Sequence, residues 1–125
     1  MSEHNEPIPA ELDAWMEARL AEIASLLTKA RRIRTGQRND QEQWLSGLLR
    51  EISETERTAN IVTNLLTAYA VRKGHLNATT VGKLTKVTIS TAQARSGSRT
   101  AESAWSEIWP AQSEKHASGG DLQQR

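Results

Sequence analysis

Between Pro9 and Gly74 the apolar residues recur at steps of three and four, the spacing of helices that each carry one apolar stripe. The first stripe runs Leu12, Trp15, Met16, Leu20, Ile23, Leu27, Ala30 and Ile33. No glycine or proline interrupts residues 10–35, Pro9 suits a first helical turn, and Gly36 suits the end. Arg31, Arg32 and Arg34 fall in the last turns, where cations complement the helix dipole. The second stripe runs Leu45, Leu48, Ile52, Thr55, Ala59, Val62, Leu66 and Tyr69, a heptad seam weakened in its middle by Thr55 and Ala59. Asn39 or Asp40 is placed to cap this second helix, and Gly74 to stop it. A link as short as residues 36–40 folds two long helices back on each other, which predicts an antiparallel helical hairpin over residues 9–74. Trp15, Met16, Leu26, Trp44 and Leu49 widen the stripes beyond what two helices can cover, so the hairpin is expected to form a homodimer.

Shorter segments follow. Asn77 or Thr79 is a cap for a helix from residue 80 to 84 or 85, and Thr88 or Ser90 for another reaching about residue 96. Gly97 breaks that helix, and Ser98 or Thr100 caps a last one, which Pro110 ends. Glu102 falls near the third position of a capping box. Trp105 and Trp109, four apart with Ala101, Ala104 and Ile108 nearby, are expected to pack this last helix over the preceding two. No segment alternates as a strand does, and residues 1–8 and 111–125 are polar enough to be expected disordered.

Composition removes several classes of function. There is no cysteine, which excludes disulfides, thiolate metal sites and thiol catalysis, and fits a reducing cytoplasm. His4, His75 and His116 stand apart from one another and from carboxylates at ligand spacing, so no metal site is expected. No nucleophile elbow, phosphate loop or paired-acid pattern is present, so the chain reads as neither an enzyme nor a cofactor binder. No apolar run approaches the length of a membrane span, and the acidic first residues do not read as a signal or transit peptide. Arg31, Arg32, Arg34 and Arg38 form a basic cluster at the expected hairpin tip and read as a solvated helix end, with a second DNA-backbone contact or a protein-docking patch as the alternative.

The net charge of +1 conceals a strong asymmetry. Between residues 57 and 101 there is no acid, and residues 71–100 hold six bases: Arg72, Lys73, Lys83, Lys86, Arg95 and Arg99. That is the electrostatic footprint of a surface meant for phosphates. Within the same stretch lies a packing pattern for two crossed short helices. Gly82 is the small residue at the crossing, with Val81 and Leu84 facing inward. Val87 plugs the angle, Thr88 caps the second helix, and Ala92 takes its inner face with Ile89 or Arg95 flanking. Residues 79–96 resemble the helix-turn-helix superfamily of bacterial DNA-binding regulators. One position departs from that pattern: Lys86 stands where a glycine is usual, so it must either adopt a left-handed conformation or use another turn.

The resemblance implies an all-α chain whose hairpin is followed by a helix-turn-helix unit over residues 75–110. The second short helix would enter the major groove, with Ser90, Thr91, Gln93, Ala94 and Arg95 towards the bases. Gln93 suits adenine, and Arg95 suits guanine or a phosphate. Arg72, Lys73, Thr79, Lys83, Lys86, Thr88 and Arg99 would hold phosphates of double-stranded DNA. No hairpin wing follows Gly97. The resulting expectation is a small cytoplasmic, dimeric bacterial transcriptional regulator, a repressor of a phage, plasmid or other mobile element. A non-enzymatic protein-interaction module and a DNA-packaging or plasmid-partition adaptor are the rival readings.

Overall fold

The computed structural model describes residues 6–110, and over these the chain is helical, with no strand. The disorder expected of residues 111–125 and 1–5 lies outside the described residues, as do His4 and His116. Residues 6–8 are irregular, and Pro7 borders a hollow beside Tyr69.

Local chemistry sets the helix bounds. Helix α1 (Ala10–Thr35) follows Pro9, whose carbonyl accepts the Asp13 N–H at 3.0 Å, and it ends just before Gly36. Helix α2 (Gln41–Arg72) starts after Asp40, whose carboxylate accepts the Gln43 N–H at 3.2 Å, so Asp40 rather than Asn39 is the cap. Helices α3 (Ala78–Thr85), α4 (Ile89–Ser96) and α5 (Arg99–Ile108) are capped by Asn77, Thr88 and Ser98. Each cap accepts the N–H three residues ahead, at 2.8, 3.1 and 3.1 Å respectively. Such a cap contributes about 1 kcal/mol to a helix too short to persist alone. Glu102 does not close the expected capping box. Its carboxylate pairs instead with the Arg72 guanidinium.

The chain forms two compact units, one of Ala14–Val62 and the other of Met1–Asp13 with Thr63–Arg125. In the first, the end of α1 touches the start of α2. The Trp44 Nε1–H donates to the Arg34 carbonyl at 3.3 Å, and a Cβ on Gly47 would lie 3.3 Å from Ile33 Cδ1. Glycine at position 47 therefore lets the Ile33 side chain rest on the backbone of α2.

The heptad seam is only half inward. Leu48, Thr55 and Val62 are wholly or partly buried, whereas Leu45, Ile52 and Ala59 are exposed. The inward places are taken by the preceding residues Trp44, Glu51 and Thr58, so the helix is turned by about one residue from the expected face. Leu66 is likewise exposed and Leu65 fully buried, and on α1 Leu20 and Leu27 lie outside. The Thr55 hydroxyl donates to the Glu51 carbonyl at 2.8 Å and the Thr67 hydroxyl to the Thr63 carbonyl at 2.7 Å. With their polar groups satisfied locally, these threonines present compact methyl surfaces to the interior.

In the second unit Leu65, Ala68, Ala92 and Ala101 are completely buried, joined by Leu12, Val81, Ala104 and Ile108. The small residues Ala101 and Ala104 give α5 a narrow inner face that permits close helix approach. α3 packs on α4, and α4 on α5. Trp105 and Trp109 meet the end of α2. Tyr69 stacks on Trp109 with centroids 5.9 Å apart and meets Trp105 at 6.1 Å. Arg72 completes the join: its guanidinium lies 4.7 Å from the Trp105 ring, pairs with Glu102, and donates to the Ser96 carbonyl at 3.1 Å.

Candidate nucleic-acid interface

The geometry between α3 and α4 depends on two residues with opposite demands. Gly82 is the point of closest approach: a Cβ there would sit 2.9 Å from the Val87 carbonyl oxygen. The same two residues are held together by the Val87 N–H, which donates to the Gly82 carbonyl at 2.9 Å. No larger residue fits without moving the backbone on one side. Lys86 makes the turn with φ 60° and ψ 43°, the left-handed region, and is the only described non-glycine residue at positive φ. Of the two options open to a lysine at this position, it takes the left-handed one, and its N–H meets the Gly82 and Lys83 carbonyls.

Left-handed backbone costs a side-chain-bearing residue about 1 kcal/mol or more. Lys86→Gly should therefore stabilise the fold by about 0.5–1 kcal/mol. The urea midpoint would rise. An unchanged or lower midpoint would mean that the left-handed lysine carries no strain.

From this turn α4 starts at the Thr88 cap and buries Ala92 completely. Ser90, Thr91, Gln93 and Ala94 are exposed, and Arg95 is half-buried. Ser90 and Ala94, two positions either side of Ala92, point most directly away from the core. The Thr91 hydroxyl accepts from the Thr88 hydroxyl at 3.0 Å, so these two side chains are tied together at the start of the helix. Gln93 borders a hollow formed with residues 74–78 and Thr80, beside the start of α3.

Among the residues expected to meet phosphates, Lys73, Thr79, Lys83, Lys86, Thr88 and Arg99 are exposed. Lys83 and Lys86 flank the turn directly. Lys73 instead borders the aromatic hollow of Tyr69, Trp105 and Trp109. Arg72 stands apart from the others, since its charge is met by Glu102 and its guanidinium ties α2 to the end of α4 and to α5. Of the bases in residues 71–100, Lys83 and Lys86 thus stand exposed beside the turn, whereas Arg72 is engaged by Glu102.

One aliphatic residue overturns an expectation: Leu84, expected to face inward, is 69% exposed, while of the two candidates to flank Ala92, Ile89 is 46% exposed and Arg95 half-buried. The inner face of α3 is set by Val81 and Gly82, and Thr85 joins it with its hydroxyl donated to the Val81 carbonyl at 2.8 Å. Leu84 is turned about 100° from Thr85 and falls outside. Ile89 follows the Thr88 cap immediately, at the overhanging first turn of α4, and adds an aliphatic group to the same surface as Ser90. Its place directly after a cap was the signal in the sequence for that exposure.

Among the described residues no cluster of three or more His, Asp or Glu side chains is placed to hold a metal ion. No described helix is long and apolar enough to cross a membrane. No protein-family model, curated protein or solved structure matches the chain.

Proposed function

We propose that the chain is a sequence-specific double-stranded DNA-binding protein, a small dimeric bacterial transcriptional repressor that works in the cytoplasm. Residues 75–110 form a helix-turn-helix unit, and residues 9–74 an antiparallel hairpin through which two copies associate. One observation carries the reading. The Gly82–Val87 contact and the left-handed Lys86 fix α4 across α3 with Ala92 buried and Ser90, Thr91, Gln93 and Ala94 exposed. That exposed face lies in a stretch without acids. A rigid polar helix face with cations at its edges has the shape and charge that a major groove accepts. Ile89 adds a group suited to a thymine methyl. Arg72, paired with Glu102, acts in this scheme as a clamp on the unit and not as a phosphate ligand.

Binding to duplexes selected from a random pool tests the proposal. At about 50 mM salt the protein should bind duplex, and its affinity should fall steeply as salt rises. A palindromic consensus would show two recognition helices related by a dyad. Gln93→Ala should relax preference at one or two base positions by about 1–3 kcal/mol each, whereas Lys83→Ala should weaken all sequences alike and lower the salt slope by about one. Absence of duplex binding at low salt would refute the function. Identical behaviour of the two variants would refute the placement of α3 and α4.

A further inference from the structure

The unit Ala14–Val62 exposes more large aliphatic surface than it buries. Its buried apolar residues are Trp15, Ala30 and Val62, whereas Leu20, Leu27, Leu45, Leu49 and Ile52 are each between 41% and 68% exposed. Each of the five follows a half-buried residue of its own helix: Arg19, Leu26, Trp44, Leu48 and Glu51. One residue is a turn of about 100° around a helix. When two helices run antiparallel, that same turn carries both sets to one side of the plane holding their axes. The five side chains therefore share a single face. We propose that this face is the seat of a second copy of this chain, joined about a dyad that runs along the helices. The proposal deepens the dimer part of the reading above and rests on it, but it is independent of DNA binding.

Area and charge both point to a second copy. Five half-exposed aliphatic residues expose on the order of 400 Å², the size of the largest apolar patch on a whole monomer. Here that patch sits on 49 residues, 14–62. Doubled and rimmed by polar side chains, it approaches the roughly 1,200–2,000 Å² of a stable interface. The direction of the dyad follows from charge. Over residues 14–35, α1 carries Arg19, Lys29, Arg31, Arg32 and Arg34 against Glu17 and Glu22, a net +3. Over residues 41–62, α2 carries Glu42, Glu51, Glu54 and Glu56 against Arg50 and Arg57, a net −2. A dyad along the helices lays each α1 on the other copy's α2, so opposite charges meet. A dyad across the helices would lay α1 on α1 and set like charges together. The level of contact follows from the Ile33–Gly47 contact. Six residues back along α1 and five forward along α2 bring Leu27 within one residue's rise of Ile52, since both helices rise equally per residue.

The full chain lacks cysteine, so thiols can be introduced singly without background. The wild type should have twice the 13.9 kDa mass of one chain in solution, without DNA. Leu49→Glu should reduce that to one chain while keeping its helical circular dichroism. Leu84→Glu, which alters an equally exposed leucine of the other unit, should remain dimeric. If Leu49→Glu fails to fold, crosslinking decides. Leu27→Cys and Ile52→Cys chains, refolded together and treated with a short thiol crosslinker, should yield mainly the mixed product. Predominant Leu27–Leu27 or Ile52–Ile52 products, a single-chain wild type, or a mass above two chains would each overturn the proposal. Duplex binding measured on the same samples keeps the two readings apart. A dimer that ignores DNA would refute the function and leave this interface standing.

Discussion

Leu65→Ala should lower the unfolding free energy by about 2–5 kcal/mol. Among the described residues, Leu65 is the largest side chain with no surface in solvent, and it lies in the unit built from the short helices and the ends of α1 and α2. The buried residues of that unit include many small ones, with Ala68, Ala92, Ala101 and Ala104 all buried. Small side chains have few rotamers with which to fill a void, so the cavity left by truncation should persist. A loss of this size is a large fraction of the stability of an ordinary domain. Thermal unfolding should shift down by about 8–20 °C, on the scale of about 4 °C per kcal/mol for a domain of this size. The exposed neighbour Leu66→Ala provides the comparison and should shift the midpoint little. Equal effects from the two variants would mean that the inner face of α2 has been assigned to the wrong residue.

Gly82→Val should cost about 1–3 kcal/mol and also abolish duplex binding. The new Cβ would press on the Val87 carbonyl oxygen, and that group belongs to the backbone, so it cannot rotate away as a side chain would. Relief requires α4 to move relative to α3. Movement would break the Val87–Gly82 hydrogen bond and tilt the face that carries Ser90 and Gln93. Circular dichroism and anisotropy titration on the same sample separate the two losses. If Gly82→Val binds DNA as the wild type does, the spacing of α3 and α4 is not what positions the recognition face. Gly82→Ala should be milder, because the higher helix propensity of alanine, worth about 1 kcal/mol, offsets part of the clash.

The sequence narrowed the start of each short helix to two candidate caps, because caps are local, and the structure uses the first of each pair, with α3 starting at Ala78 rather than residue 80. Asn77, Thr88 and Ser98 each satisfy an N–H three residues away, and that chemistry is complete within one turn. The rotation of the long helices could not be read in the same way. Hydrophobicity placed Leu45, Ile52 and Leu66 inside, but they are exposed, while Thr58 and Thr67 are buried, Thr67 with its hydroxyl donated to the Thr63 carbonyl of its own helix. Leu84 was misplaced by the same preference for the larger apolar residue over Thr85. At the candidate site, the crossing at Gly82 and the inner place of Ala92 were legible because few residue types fit a close approach. The engagement of Arg72 was not legible. Its partners Ser96 and Glu102 are 24 and 30 residues away, and only the packing of α2 beside α5 brings them together.

Lys86 bears on how this protein would change under selection. A search for heat resistance alone should find glycine at position 86 early, because that exchange relieves the turn without touching the core. It would also delete one of the two cations that flank the turn. A lineage driven by temperature and a lineage driven by the proposed DNA binding would therefore part at this residue. Their variants at position 86 would record which pressure had acted.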